Sequence, residues 1–380
     1  MKVLHLINTL AVGGAELHLL ALCRHLQRHG LEIVVAYLRE EVKGSRSLRA
    51  DFETEHIRVV NLCADSRYDC YFFSRFTRLL KQEHPAIVHT HLPRADLAGG
   101  LGHLLHPSIP WISSVHDIHS KSWAGRWTLP LLNVVWRQAD AVIAISHAVK
   151  DWLVQERRVP SDKVAVIHYG LETQRFAQAN MNGRKHGAPA GRAVIGTIGR
   201  LEPRKGQAGL IQAMPAVLHK VPNASLLIAG HDPWGYGQTL QALITELGLG
   251  EHVQLVGFQD DVPAFLSGVD VFAFASRAEG FGQVLLEAMA AGRPVVASKL
   301  APHTEIVVDG ETGLLVQVDN PSAFAAGISW LLLHPEEAQR MGRRGQDRVY
   351  HSFSAERMAA ETLGLYRTLI GEHPIQAPVT

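Results

Sequence analysis

Short runs of apolar and β-branched residues alternate along the chain with longer segments whose apolar positions recur every three or four residues. In the first half the short runs are residues 3–7, 33–37, 87–89, 111–115, 141–145 and 164–167, and segments 15–29 and 71–83 between them have the helical period. Runs that are apolar at successive positions, and so on both faces, predict strands of a parallel sheet covered by helices on each side. The expected result is a doubly wound α/β domain.

The alternation stops at residues 178–191 (QANMNGRKHGAPAG), a stretch without period and rich in small and turn-forming residues, which reads as a linker. It resumes with runs at 193–198, 225–229, 253–256, 269–274, 294–297 and 314–316 and with helices between them, among them 283–291. A chain of 380 residues suits two domains of average size. The expected organisation is therefore a first domain over 1–177, the linker 178–191, a second doubly wound domain over 192–353, and a C-terminal tail, 354–380, that is helical to about residue 370. Open α/β sheets bind ligands at the carboxyl ends of their strands, so residues just after strands are the candidates for chemistry.

Composition narrows the classes. Hydrophobic residues make up 47% and charged residues 19%, which fits a large core, and the formal net charge of +1 points to no nucleic-acid partner. The first 170 residues hold 20 Lys and Arg against 16 Asp and Glu, so this half is mildly basic. Cys23, Cys63 and Cys70 are odd in number and lack metal-type spacing, which suggests free thiols in a reducing, cytoplasmic compartment. The opening residues read as a first core strand rather than a signal peptide, and no apolar run reaches the roughly 18 residues of a membrane span.

Three motifs follow strands. Gly13-Gly14-Ala15-Glu16 stands where a strand gives way to a helix; two glycines there let the main chain approach an anion at a helix N-terminus, and a tight turn explains the pair as well. Gly199-Arg200-Leu201-Glu202-Pro203-Arg204-Lys205-Gly206 places a planar guanidinium and a mobile ammonium where a diphosphate binds, or forms a solvated basic turn. Glu279-Gly280-Phe281-Gly282-Gln283, continuing to Glu287, opens a helix. Gly280 and Gly282 permit close ligand approach by the amides near Phe281 and Gln283, and Glu279 and Glu287 are too far apart in the pattern for paired acid–base work, so polyol recognition fits better.

In order and at strand ends, these elements resemble the GT-B glycosyltransferases of family 4, the "group 1" retaining enzymes. The resemblance extends to His116-Asp117 and to Glu305-Ile306-Val307 with Gly310-Glu311-Thr312-Gly313-Leu314-Leu315-Val316, and it covers nearly the whole chain. It implies two Rossmann-like domains facing each other across a cleft, the first on the acceptor side and the second holding a UDP- or GDP-sugar. Gly13 and Gly14 would line the donor diphosphate, and Arg200 and Lys205 would neutralise it. Glu279 would hold hydroxyls of the donor sugar, with Gly280, Phe281, Gly282 and Gln283 presenting the main chain. Glu287 would hold the ribose and His116 would lie beside the transferred sugar. His116, Arg200, Lys205 and Glu279 form the implied catalytic group. Gln283 departs from the aliphatic residue that many relatives carry. The implied reaction is retaining transfer, by front-side attack, to a glycan or lipid-linked acceptor in cell-surface polysaccharide or glycolipid synthesis. No metal or other cofactor is expected. A nucleotide-sugar epimerase and a non-catalytic sugar-nucleotide scaffold are the alternatives.

Two further patterns carry weight. His89 and His91 alternate on one strand face and His116 ends a strand that could lie nearby, a set that lines a cleft or, less simply, binds zinc. Residues 121–137 hold three tryptophans beside three cations and no acid, and Tyr71, Phe72, Phe73, Arg75, Phe76 and Arg78 form a second basic-aromatic stretch. These read either as ordinary helices with buried rings or as a surface that rests peripherally on an anionic inner leaflet.

Overall fold

The structure, a computed structural model, describes residues 1–40, 46–64, 71–118, 123–176 and 191–372, without the side chains of 123–129. The chain divides into two compact units, one of Met1–Gly170 with the segment from Ala355 onward, the other of Leu171–Ser354. The sequence-based linker, apart from Gly191, lies outside the described residues.

The first unit is a parallel sheet of β1 (Lys2–Ile7), β2 (Glu32–Tyr37), β3 (Arg58–Asn61), β4 (Ile87–His91), β5 (Trp111–Val115), β6 (Ala141–Ala144) and β7 (Val164–Val166), in the order β3-β2-β1-β4-β5-β6-β7. The edge strand β3 has no counterpart in the sequence reading, because Arg58–Asn61 is short and only partly apolar. The helices are α1 (Gly14–Arg28), α2 (Arg49–Thr54), α3 (Tyr71–Glu83), α4 (Pro93–Leu105), α5 (Trp123–Gln138) and α6 (His147–Asp151). Val3, Ile7, Ile33, Val35, Ile87, Ile112 and Ile143 face one layer, where α1 supplies Leu19, Leu22 and Leu26. The C-terminal helix Ala355–Leu369 adds Met358, Leu363 and Tyr366 to that same layer. The tail thus completes the first unit's core, a placement that hydrophobic period alone does not specify. α3, α4 and α5 pack side by side in turn.

The second unit is a parallel sheet of β8 (Ala193–Ile198), β9 (Ala224–Ala229), β10 (Val253–Gly257), β11 (Val271–Phe274), β12 (Val295–Ser298) and β13 (Leu314–Val316), in the order β10-β9-β8-β11-β12-β13. Its helices include Gln207–Lys220, Gln283–Ala290 and Pro321–Leu333. In each sheet the strand order reverses beside a central strand, between β1 and β4 and between β8 and β11. The loops after these pairs diverge there and leave a crevice. In the second unit those loops are residues 199–206 and 275–282, so the topology brings two motifs far apart in sequence to one sheet edge.

Candidate active site

In the second unit the chain leaves β8 and makes a single 3-10 turn at Pro203–Lys205 before the helix Gln207–Lys220. Gly206, at the junction, has φ +69°, and a Cβ on it would sit 2.0 Å from the Ala275 carbonyl oxygen. Only glycine lets this loop close onto the end of β11. The Arg277 amide donates to the Arg204 carbonyl at 2.8 Å and fastens the two loops together.

This seam brings Lys205 to Glu279. Lys205 Nζ lies 2.6 Å from Glu279 Oε1, the Ser276 hydroxyl donates to the same oxygen at 2.6 Å, and an Arg204 nitrogen is 4.0 Å from Oε2. Burial pushes the Glu279 carboxyl up, but Lys205, the Ser276 hydroxyl and Arg204 together outweigh it and hold the group below the usual carboxylate range. Arg200 is placed differently. Its side chain is about half exposed, 3.5 Å from Glu202 and 5.4 Å over the Trp234 ring, so it can swing to an incoming anion at little cost.

The helix Gln283–Ala290 begins behind Gly282, whose φ of +108° and closeness to the His303 ring leave no room for a side chain. Phe281 is buried and its ring packs 6.0 Å from Phe353, which anchors the loop. Two buried acceptors around these loops have no hydrogen-bond partner, Gln283 Oε1 and His303 Nε2, and Glu202 Oε1 has only its 3.5 Å ion pair with Arg200. For His303 the tautomer is fixed, since Nδ1 lies 2.7 Å from the Ser298 carbonyl and must carry the proton, which leaves Nε2 a bare lone pair. Unsatisfied buried acceptors call for donors, and sugar and ribose hydroxyls are donors. Glu287 is buried on the same helix, and burial, countered only in part by Arg175, raises its carboxyl to about 7. Near neutral pH the group is therefore poised between its acid and its anion.

In the first unit Gly13 caps α1 in an extended conformation, and a Cβ on it would meet Glu16 Oε2 at 2.5 Å. Gly14 is the first residue of α1. Beyond them the sheet carries a buried histidine cluster. β1 and β4 pair His5 with His89, and period-2 alternation puts His91 on the same face. His5 Nδ1 lies 3.1 Å from His91 Nε2, His91 Nδ1 lies 3.1 Å from His116 Nε2, and His116 Nδ1 lies 2.6 Å from the Tyr169 hydroxyl. His89 turns elsewhere, to Tyr366 (2.6 Å) and Ser114 (2.7 Å). His18 stacks on Tyr169 at 4.4 Å. Burial lowers His5 and His18 to about 3 and drives His89 and His91 far down as well, each also pressed by neighbouring imidazoles where these lie close. His5, His18, His89 and His91 are neutral. Among the described residues of this sheet, the imidazoles close enough to share an ion are His5, His89 and His91, not the His89, His91 and His116 set that the sequence suggests.

The basic-aromatic stretches separate into parts. Trp136 and Phe76 are fully buried, Trp136 donating to Asp96, so these two rings belong to the core and not to an interface. Arg75 and Arg137 are tied to main-chain carbonyls. Trp123 and Trp127 lie outside the described side chains.

Ser276, Arg204, His303, His5, His18 and Tyr169 were not marked by the sequence. Ser276 stands three residues before Glu279 and could have been found by asking what would satisfy a buried carboxylate. His5 needed the β1–β4 register, which the pattern does not carry.

Two parallel-sheet Rossmann-like units, with a cation–carboxylate seam and a glycine loop at the second unit's switch point, define the GT-B class of sugar-transferring enzymes. Residues 180–348 match the family model "Glycosyl transferases group 1" and residues 12–175 match "Glycosyltransferase Family 4". The chain is 34% identical to the GDP-mannose-dependent alpha-(1-6)-phosphatidylinositol monomannoside mannosyltransferase of Mycolicibacterium smegmatis, over 62% of this chain and 64% of that protein. It is 31% identical to the enzyme of the same name from Mycobacterium tuberculosis, over 72% of each. The structure of Anabaena HepE in complex with UDP and glucose superposes with a TM-score of 0.86 at 23% identity, covering 97% of this chain and all of that one. The chain belongs to the group 1, family 4 glycosyltransferases, and is an enzyme of that kind.

Proposed function

We propose that this enzyme moves a sugar from a UDP- or GDP-sugar to a glycan or lipid-linked acceptor in cell-surface polysaccharide or glycolipid synthesis, with retention at the anomeric carbon. The observation that carries this reading is the seam of Lys205, Arg204, Ser276 and Glu279 beside two buried acceptors without donors, Gln283 Oε1 and His303 Nε2. Cations suit a diphosphate and the acceptors suit hydroxyls. Arg200 and Lys205 meet the diphosphate, Glu279 the sugar and Glu287 the ribose. In the first unit Gly13 and Gly14, at the N-terminus of α1, allow main-chain approach by an anion. Gly280, Phe281, Gly282 and Gln283 present the loop's main chain.

As the glycosidic bond breaks, charge gathers on the leaving phosphate, and preorganised cations lower the barrier by meeting it there. No side chain of the seam is free to act as a nucleophile, because Glu279 is held by Lys205 and Ser276. Front-side attack follows, with the leaving phosphate oxygen taking the acceptor's proton. The cationic side chains fill the role that a divalent ion plays elsewhere, so the reaction is metal-independent. Product analysis by NMR with a panel of UDP- and GDP-sugars and candidate acceptors tests the reading. A product with the donor's anomeric configuration is expected. An inverted product, or sugar interconversion without transfer, refutes it.

We place the enzyme in the cytoplasm, where its two described free thiols, Cys23 and Cys63, stay reduced. Among the described residues no helix is long and apolar enough to cross a membrane. Peripheral contact with an anionic leaflet draws support from exposed Leu101, Leu104 and Leu105 on α4 and from Leu131 and Val134 on the adjoining α5. Co-sedimentation with anionic but not neutral vesicles, weakened by salt, is expected; indifference to lipid charge removes the membrane from the proposal.

A further inference from the structure

The histidine cluster poses a question of direction. His5, His91, His116 and Tyr169 form one continuous line of hydrogen bonds, each ring giving one nitrogen to the neighbour on either side. A neutral imidazole has one N–H and one lone pair, so fixing any ring's tautomer fixes all of them. Either every proton points toward Tyr169, with all three rings protonated on Nδ1, or every proton points toward His5, with all three protonated on Nε2.

Two observations choose between them. At the inner end, His5 Nε2 is buried and has no partner. Protons running inward would put an N–H there with no acceptor, and orphaned buried N–H groups are the rarer defect; protons running outward leave only a lone pair. At the outer end, the negative charges of Glu16 and Asp117 act on the Tyr169 oxygen, and a line of N–H dipoles gains by pointing toward them. The remaining titratable groups around the line are His18 on α1, His89 on β4 and Tyr366 on the C-terminal helix. His89 and His18 are neutral, and Tyr366, buried, keeps its proton.

We propose that His91 is a positioning residue that holds His116 as the Nδ1–H tautomer, with its Nε2 lone pair committed to the His91 N–H. The inference rests on the reading that His116 serves the transferred sugar. It deepens that reading, because a ring whose N–H and lone pair are both engaged is held in one orientation and has no lone pair left to take the acceptor's proton. That proton is left to the leaving phosphate oxygen.

Histidine-selective 15N NMR of the full chain at neutral pH tests the direction without any substitution. His5, His91 and His116 should each show a protonated Nδ1 and an unprotonated Nε2. Any of the three protonated on Nε2, or a stoichiometric metal ion bound in place of the His5–His91 bond, overturns the proposal. His91→Gln keeps an N–H donor for His116, whereas His91→Phe removes it. The Phe variant should free the His116 tautomer and lower kcat by roughly five- to tenfold, the worth of a single net hydrogen bond, at unchanged donor KM. The Gln variant should restore both. Equal behaviour of the two variants also overturns the proposal. The tautomers are read without turnover, so their failure leaves the glycosyl-transfer reading standing, and an inactive wild-type chain leaves the tautomer result standing.

Discussion

The two sheets use polar residues in opposite ways at corresponding places. At the β1–β4 switch point the first unit buries His5, His89 and His91 with His116 and His18, and burial, joined by mutual crowding at His5, His89 and His91, keeps His5, His18, His89 and His91 without charge. At the β8–β11 switch point the second unit gathers Arg200, Arg204, Lys205 and Glu279, keeps its carboxylate ionised, and leaves a cation half exposed. A neutral hydrogen-bonded line can fix geometry but cannot meet a diphosphate. A charged seam can meet a diphosphate and depends on its ion pair for stability. The division of labour in the proposed reaction follows from that difference.

The largest effect should come from removing the second unit's cations. Arg200→Ala and Lys205→Ala should each lower kcat by roughly 10²–10³, as loss of a transition-state donor does, with smaller changes in donor KM. The two should then part in stability. Lys205→Ala strands a buried carboxylate and should cost about 3 kcal/mol in denaturant unfolding, whereas Arg200→Ala should cost almost nothing. Near-normal kcat with raised KM in both variants contradicts the assigned role.

Acid should distinguish the units next. His5 and His18 have folded values of about 3 against an ordinary 6.5, so the stability they contribute is complete above pH 6.5 and is lost as pH falls from there toward 3. Asp96, buried under Thr90, Ser113 and Trp136, works the other way. Burial raises it from 3.8 to about 6, so its contribution is complete below 3.8 and is lost as pH rises through 6, which offsets part of the histidine loss. Hydrogen exchange should show β1 and β4 losing protection before β8 and β11 as pH drops from neutral to about 5. Equal loss in both sheets removes the contrast.

Glu287 sharpens the comparison inside the second unit. Its folded value of about 7 lies above the ordinary 4.5, so ionisation costs stability as pH rises through that window. Glu287→Gln should stabilise the ligand-free protein by up to about 3 kcal/mol above pH 7, with the gain vanishing by about pH 4.5. The same variant should weaken nucleoside diphosphate binding, the usual exchange of stability for function. A stabilisation independent of pH contradicts the burial argument. The smallest expected effect is that of chelation, which should leave turnover unchanged. Loss in EDTA that zinc restores would redirect attention to His5, His89 and His91.

Much of this was legible in the pattern. Residues 193–198 and 314–316 are strands to the residue, and the helix predicted over 71–83 is α3, because long apolar runs and clear helical period leave little choice. Lys205 and Glu279 could each be named as candidates from charge at a strand end. Their pairing could not, since it depends on β8 and β11 being neighbours, and so on strand order. The C-terminal helix gave no sign of its destination because an amphipathic stripe fits any apolar layer of suitable shape. Trp136 and Phe76, which the structure buries as the first of the two readings has it, left the choice open for a related reason: tryptophan and phenylalanine beside arginine have the same composition at an interface as in a core beneath a basic surface.

Recognition of a nucleoside diphosphate through its phosphates, by the loops after β8 and β11, can be measured by thermal unfolding with uridine, guanosine, UDP, GDP and their sugars. One nucleotide series should raise the melting temperature, by mass action worth about 2.7 kcal/mol at a hundredfold excess over Kd. Within that series the sugar conjugate should do at least as well as the diphosphate, and the bare nucleoside should do far less. Equal shifts from nucleoside and nucleoside diphosphate, or no shift from either series, would contradict the account.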